Sequence, residues 1–297
     1  MVSYILLVTY HIFVYNSYMV QPNLISFAQV SARYEIGPKI LSNVSFNVGG
    51  GQFFFLTGKS GSGKTTLLRL IYQLHRQSGG QIKLFGRNTK DMSKDEIIKL
   101  RRQMSIIFQE YSLISHLSVF DNVALPLRVR GVPERDVLPI VNKTLQWVGL
   151  EQFADARPLS LSGGQQQKVQ VARAVITRPK ILLADEPTAN LDDDSAAKLM
   201  DLFIKMQQDY GCAVIIATHS QMLMDNYKFN QIRVEGGEVR FVGAKGSLPS
   251  VDTLRPNLRV DDGHFVDGAL HGIDEDGQDY FKDLTKKLQK IIRGDTQ

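Results

Sequence analysis

An apolar run, Phe53–Thr57, leads directly into Gly58-Lys-Ser-Gly-Ser-Gly-Lys-Thr65, and a stretch of helical spacing, Thr65–Leu74, follows at once. No other feature of the chain limits its fold as tightly. A short, uninterrupted apolar run predicts a strand buried on both faces. The glycines allow successive backbone N–H groups to turn inward, and a helix beginning near Lys64 adds the positive end of its dipole. The spacing GxxxxGK[ST] predicts a phosphate cradle built from Gly58, Lys59, Ser60, Gly61, Ser62, Gly63, Lys64, Thr65 and Thr66. Lys64 is placed to reach the β- and γ-phosphates of a nucleotide, and the Thr65 hydroxyl to ligate Mg²⁺. A plain turn between strand and helix would require neither the lysine nor the hydroxyl.

A second apolar run, Ile181–Asp185, ends in two acids, Asp185 and Glu186. Beside a phosphate cradle, such a pair divides the work of phosphoryl transfer: Asp185 handles Mg²⁺ through water, and Glu186 polarises an attacking water. A third element, Leu161-Ser-Gly-Gly-Gln165, again puts glycines and a hydroxyl, Ser162, at a predicted helix start. As an isolated pentapeptide it would be only a helix cap. One chain already has a cradle for one ATP, so a second is best explained by ATP held on another copy, and a homodimer is expected.

Strand patterns at Ile25–Val30, Val44–Val48, Phe53–Thr57, Ile181–Asp185 and Val214–Thr218 alternate with helical ones at Asp95–Gln103, Val119–Arg130, Val137–Val148 and Ala196–Tyr210. This alternation predicts an α/β fold with a parallel sheet covered on both faces. Arg233–Val242 reads as a hairpin around Gly236-Gly237. Each motif occurs once in 297 residues, which points to one catalytic domain with appendages. The net charge of +5 is mild and does not argue for nucleic acid, and none is expected as a partner. The single cysteine, Cys212, excludes an intrachain disulfide; beside the apolar run Ala213–Ala217 it reads as a buried core thiol in a reducing compartment.

Both ends differ from this middle. Residues 1–32 carry no charged side chain, but polar residues interrupt their apolar clusters. A spanning helix needs about 20 mostly apolar residues, and a secretory leader needs a basic region that is missing here. Residues 1–18 are therefore expected to be an extension of undetermined status, with Met19 an alternative start. Residues 245–278 are rich in Gly, Asp and Pro and read as a flexible linker. In Asp279–Arg293, Phe281, Leu284, Leu288, Ile291 and Ile292 recur at helical spacing among five cations, which predicts an amphipathic helix within residues 279–297. The acidic run Asp274–Asp279 is not a calcium loop, because the sixth and twelfth positions are Asp279 and Thr285 instead of Gly and Glu. Asp193 and Asp194 read as helix-start charges.

Taken in order, the phosphate loop, Leu161–Gln165, Asp185-Glu186-Pro-Thr-Ala-Asn190-Leu-Asp192 and Thr218-His219 resemble the ATP-binding cassette family across about residues 24–242. That resemblance implies a P-loop nucleotide-binding domain over 19–244. Its parts would be a mixed or parallel sheet core, an antiparallel β subdomain and a helical subdomain at about 93–175. It implies a stacking role against adenine for Tyr34, and contact with Mg²⁺ and the attacking water for Gln109. Asn190–Asp192 would cross to the second copy. His219 would act as the switch that contacts the γ-phosphate and supports Glu186. Ser162, Gly163, Gly164 and Gln165 would face ATP on the opposite copy. With both Glu186 and His219 present, a working ATPase is expected, not a module that only binds nucleotide. Within the family, Arg101–Gln109 and Val119–Leu127 look like the bacterial cell-division cassettes, and also like those of lipoprotein release and macrolide efflux. The former resemblance implies an FtsX-like, permease-like integral membrane partner and a peripheral place on the cytoplasmic face of the bacterial inner membrane. The segment Gln109–Leu127 is expected to dock that partner.

Overall fold

The structure, a computed structural model, describes residues 23–34, 37–110 and 112–242. Residues 1–18, 245–278 and 279–297, for which an extension, a linker and a helix are expected, lie outside the described residues.

Two sheets form the frame. Strands β1 (Asn23–Arg33), β2 (Lys39–Gly49), β4 (Gly79–Leu84) and β5 (Arg87–Asn88) make a four-stranded sheet in the order β2-β1-β4-β5. Its neighbours all pair antiparallel. Strands β3 (Phe53–Thr57), β6 (Met104–Ile107), β7 (Ile181–Asp185), β8 (Ala213–Ala217), β9 (Asn230–Glu235) and β10 (Glu238–Val242) make a six-stranded sheet in the order β10-β9-β3-β8-β7-β6. This sheet is parallel except for β10, which returns antiparallel beside β9. The hairpin turn is Gly236-Gly237, with φ of 57° and 80°. Two consecutive left-handed residues are what a tight hairpin matched to strand twist requires. The sheet is thus mixed, as the family resemblance implies.

Period-two alternation divides the central strands between two cores. Phe54 and Leu56 of β3 face a cluster filled by Leu67, Leu68, Leu70 and Ile71 of helix α1 (Lys64–Ile71) and by the inner side chains of the four-stranded sheet. Phe53 and Phe55 face the other way. There they meet α5 (Gly163–Val175) and α6 (Asp193–Tyr210) through residues such as Val171, Val175, Leu202 and Phe203. The expected double coverage is present, but on one face a second sheet does part of the covering. A third cluster joins α3 (Val119–Val129), α4 (Glu134–Val148) and the outer side of α5 through Val123, Leu127, Val141, Leu145 and Val169. Leu113 and Phe120 lean on this helical core.

Three elements differ from the expectations. The helix expected over Thr65–Leu74 ends at Ile71. Gln73 turns to φ 60°, and the Arg101 side chain donates to the carbonyls of Tyr72 and Gln73 at 3.1 and 2.6 Å. A cap supplied from α2 (Lys94–Arg101) overrides the local helical pattern. Strands β4 and β6 have no clear signal of their own. β6 is only four residues long and exists as an edge strand because β7 offers it a ladder, Met104 opposite Ile181 through Ile107 opposite Ala184.

Candidate functional site

The parallel strands β3, β7 and β8 deliver their C-terminal ends to one rim of the sheet, where an open α/β sheet carries its ligands. The loop after β3 is shaped by left-handed glycines: φ is 147° at Gly58, 74° at Gly61 and 109° at Gly63. A Cβ at Gly58 would lie 2.3 Å from the Val234 carbonyl oxygen and 2.7 Å from Ser62 Oγ, so only glycine fits there. Lys64 Nζ folds back over the loop and donates to the Gly58 and Lys59 carbonyls at 2.9 and 3.2 Å. Ser62 Oγ is buried and has no hydrogen-bond partner among the described residues. Helix α1 follows Gly63, which offers no side-chain cap, and has no acid in its first turn. An ammonium, an orphaned hydroxyl and uncapped amides together form a donor-rich pocket that suits an anion.

Asp185, the last residue of β7, is buried, and its Oδ2 accepts from Thr65 Oγ1 at 2.7 Å. Two oxygen donors at this spacing suit a hard cation such as Mg²⁺. No group of three or more His, Cys, Asp or Glu side chains gathers among the described residues, so most of such an ion's ligands would come from phosphate and water. Glu186 follows in the left-handed region, φ 49°, and its N–H donates to the Ala217 carbonyl at 2.9 Å. This strained turn ties the Glu186 backbone to the end of β8 and turns the chain away from the strand direction. His219 Nδ1 lies 2.8 Å from Glu186 Oε1; the glutamate side chain is 11% exposed and the histidine 76%.

Of the other residues singled out above, Gln109 is exposed two positions beyond the end of β6, whose Ile107 pairs with Ala184 next to Asp185. Tyr34 is 39% exposed; its hydroxyl lies 3.4 Å from Thr66 Oγ1 and its ring 4.4 Å from that of His75. The Tyr34 hydroxyl thus meets the first turn of α1, just beyond Lys59, Ser60 and Gly61 in the chain. Ser162–Gln165 do not join them. Ser162 caps α5 in a reciprocal box with Gln165, at 3.3 and 2.9 Å, and bonds to nothing in residues 58–65 among the described residues. Gly163 is exposed. Gly164 packs on Leu191, 3.2 Å from where a Cβ would sit. Asp192 caps α6 by accepting from Ser195 N at 2.8 Å, and Asp193 and Asp194 occupy its first turn, as expected of helix-start charges. Cys212 is fully buried, and desolvation pushes its thiol up to about 12.

Sequence reasoning missed the residues that fasten the segment after β6. Gln170, in the middle of α5, donates to the Phe108 and Glu110 carbonyls at 3.1 and 3.2 Å. Arg173 donates to the Ser112 carbonyl at 2.8 Å. Asn122 of α3 is fully buried and bonds to both the N–H and the carbonyl of Ile114. A polar side chain inside a helix normally reads as solvent-facing, and no local pattern marks these as inward.

The family profile described as "ABC transporter" matches residues 41–189. The chain is 39% identical over 216 residues to the cell division ATP-binding protein FtsE of Escherichia coli K12, covering 73% of this chain and 97% of that protein. It is 34% identical over 264 residues to the methionine import ATP-binding protein MetN 2 of Bacillus cereus, covering 86% and 78%. Among solved structures, the ATP-binding cassette MJ0796, a dimer in a post-hydrolysis state bound to ADP and Pi, superposes with a TM-score of 0.70 at 33% identity, covering 75% of this chain and all of that one. With its phosphate loop, paired acids and mixed sheet, the chain belongs to the ABC transporter family as an ATP-binding, ATP-hydrolysing subunit.

Proposed function

We propose that this ATPase works as a homodimer that closes around two Mg-ATP and drives an FtsX-like, permease-like integral membrane subunit in bacterial cell division. The observation that carries the enzymatic part is the convergence of Lys64, Thr65, Asp185, Glu186 and His219 on one rim. Lys64 leaves its two carbonyl partners to hold the β- and γ-phosphates. Thr65 and Asp185 would hold Mg²⁺, which when bound would supply neutralisation of phosphate charge. Glu186 takes a proton from the attacking water, and His219 orients the carboxylate. Gln109, just beyond the end of β6, would contact the same water and metal. Tyr34 stacks on the adenine ring. Ser162, Gly163, Gly164 and Gln165 serve the ATP of the opposite copy; the exposure of Ser162 and Gly163, and the reciprocal cap that Ser162 makes with Gln165 and not with residues 58–65 among the described residues, support this. Dimeric MJ0796 supports the same arrangement.

The cell-division role rests on likeness to FtsE across 97% of its length. A second reading, an import ATPase, is favoured by the longer alignment with MetN 2, which takes in 86% of this chain. Under either reading residues 19–244 carry the ATPase unit. The chain would sit on the cytoplasmic face of the inner membrane through its partner; no helix among the described residues is long and apolar enough to cross a membrane. The segment 109–127 docks the partner. A cysteine at the exposed Ser115, crosslinked in membranes and identified by mass spectrometry, tests this. Capture of an FtsX-like protein is the expected result. Capture of an importer permease supports the second reading, and crosslinks confined to other surfaces contradict the docking assignment.

A further inference from the structure

Helix α5 begins at Ser162, the residue assigned to the opposite copy's ATP, and Gln170 lies eight residues along it. At 1.5 Å per residue that is about 12 Å from the helix start. Gln170 is 1% exposed. Its amide nitrogen is oriented by two main-chain carbonyls, Phe108 at 3.1 Å and Glu110 at 3.2 Å, which flank Gln109 on both sides. The same nitrogen lies 3.4 Å from Ser112 Oγ. Carbonyl oxygens accept only, so the donor end of the amide must face them. Gln170 Oε1 is buried without a partner among the described residues, so the amide is committed to this one segment.

We propose that Gln170 is a positioning residue for Gln109: it clamps the peptide groups on either side of Gln109 to the helix that starts at Ser162. Any displacement of Ser162 on engaging the opposite copy's ATP then carries residues 108–110 with it along a rigid helix. Arg173, one turn further along α5, repeats the attachment at Ser112 and leaves Gln109 on the near side of two anchors. Without the donors at residue 170, the Phe108 and Glu110 carbonyls lose a buried partner, and the loop relaxes away from the rim where Gln109 acts. The inference rests on the role given to Gln109 above.

The test is a double-mutant cycle on the full chain, read as steady-state ATP hydrolysis. Gln170→Met keeps the length and apolar bulk of the side chain and removes both donors. Its expected effect is a fall in kcat of about tenfold, with KM for ATP within about twofold. The decisive comparison is Gln109→Ala alone against Gln109→Ala with Gln170→Met. If Gln170 acts through Gln109, the second change costs nothing further; independent losses that multiply overturn the proposal. Unchanged kcat in Gln170→Met also overturns it. If Gln170→Met does not fold, Gln170→Glu serves, since a carboxylate keeps the shape and places an acceptor against the carbonyls; turnover lost as above supports the proposal, and wild-type turnover overturns it. A Gln109→Ala variant with normal turnover removes the role of Gln109 itself, an outcome distinct from failure at residue 170.

Discussion

His219 Nδ1 lies 2.8 Å from Glu186 Oε1, although the two residues are 33 positions apart in the chain. The contact depends on parallel pairing of β7 with β8, in which Asp185 lies opposite Ala217. Each strand ends at the same level, and the residues just beyond meet. The histidine is mostly exposed and the glutamate mostly buried, so the histidine meets the carboxylate from the solvent side. Replacing His219 with Ala is expected to lower kcat by about a hundredfold while leaving nucleotide affinity within about twofold. Binding and turnover are measured separately on the same preparation; loss of both together contradicts a role confined to Glu186.

Gly58 sits where the chain passes closest to the neighbouring strand. The added Cβ of Gly58→Ala would lie 2.3 Å from the Val234 carbonyl oxygen, a main-chain atom held by the β9 ladder, and would need φ near 147°. The loop must shift to accommodate it. The variant is expected to lose ATP affinity by at least about tenfold and to cost about 1–3 kcal/mol in stability. Nucleotide titration and chemical denaturation check the two effects. Gly61→Ala is the contrast: no atom lies within 4 Å of its added Cβ, so only the φ of 74° opposes it and the loss should be smaller.

How much of this was legible beforehand depended on how local each signal was. The phosphate loop, the paired acids and Thr218-His219 are recognisable because glycine, charge and strand pattern coincide within a few residues. The distance between Glu186 and His219, and that between Thr65 and Asp185, follow from sheet order, which no local pattern reveals. Strand β6 was invisible because four residues between two helical stretches become a strand only beside β7. Gln170 and Asn122 were missed because a helical pattern does not say which polar side chains turn inward to meet a loop.

Dimerisation follows from the proposed function. Ser162 and Gly163 are exposed at the start of α5 in the single chain. Glu186→Gln with Mg-ATP is expected to run as a dimer in size-exclusion chromatography and to revert to monomer when ATP is removed. Adding Ser162→Arg should abolish that dimer, because a bulky cation replaces the hydroxyl at the shared face. A monomer whose specific activity is independent of protein concentration contradicts the arrangement.

Cys212 gives a check on packing alone. Its thiol is desolvated between α6 and β8 and pushed up to about 12, so the folded protein carries no thiolate at pH 8. A thiol reagent at pH 8 is expected to leave Cys212 unmodified in the folded chain and to label it after denaturation. Because the folded thiol stays neutral above its ordinary value of 9.0, reactivity should stay low as the pH rises from 8 to 10 and increase only when the fold opens. Rapid labelling of the folded chain contradicts the burial.

In the proposed function Lys64 holds the ground-state phosphates while Glu186 acts only on the attacking water. Nucleotide affinity and steady-state turnover, measured together on the wild type, Lys64→Ala and Glu186→Gln, test it most directly. Lys64→Ala should weaken ATP binding at least about tenfold; Glu186→Gln should bind ATP within about twofold of wild type and lose more than about a hundredfold in turnover. Near-normal turnover in Glu186→Gln would contradict the assignment of the base, whatever its affinity for ATP.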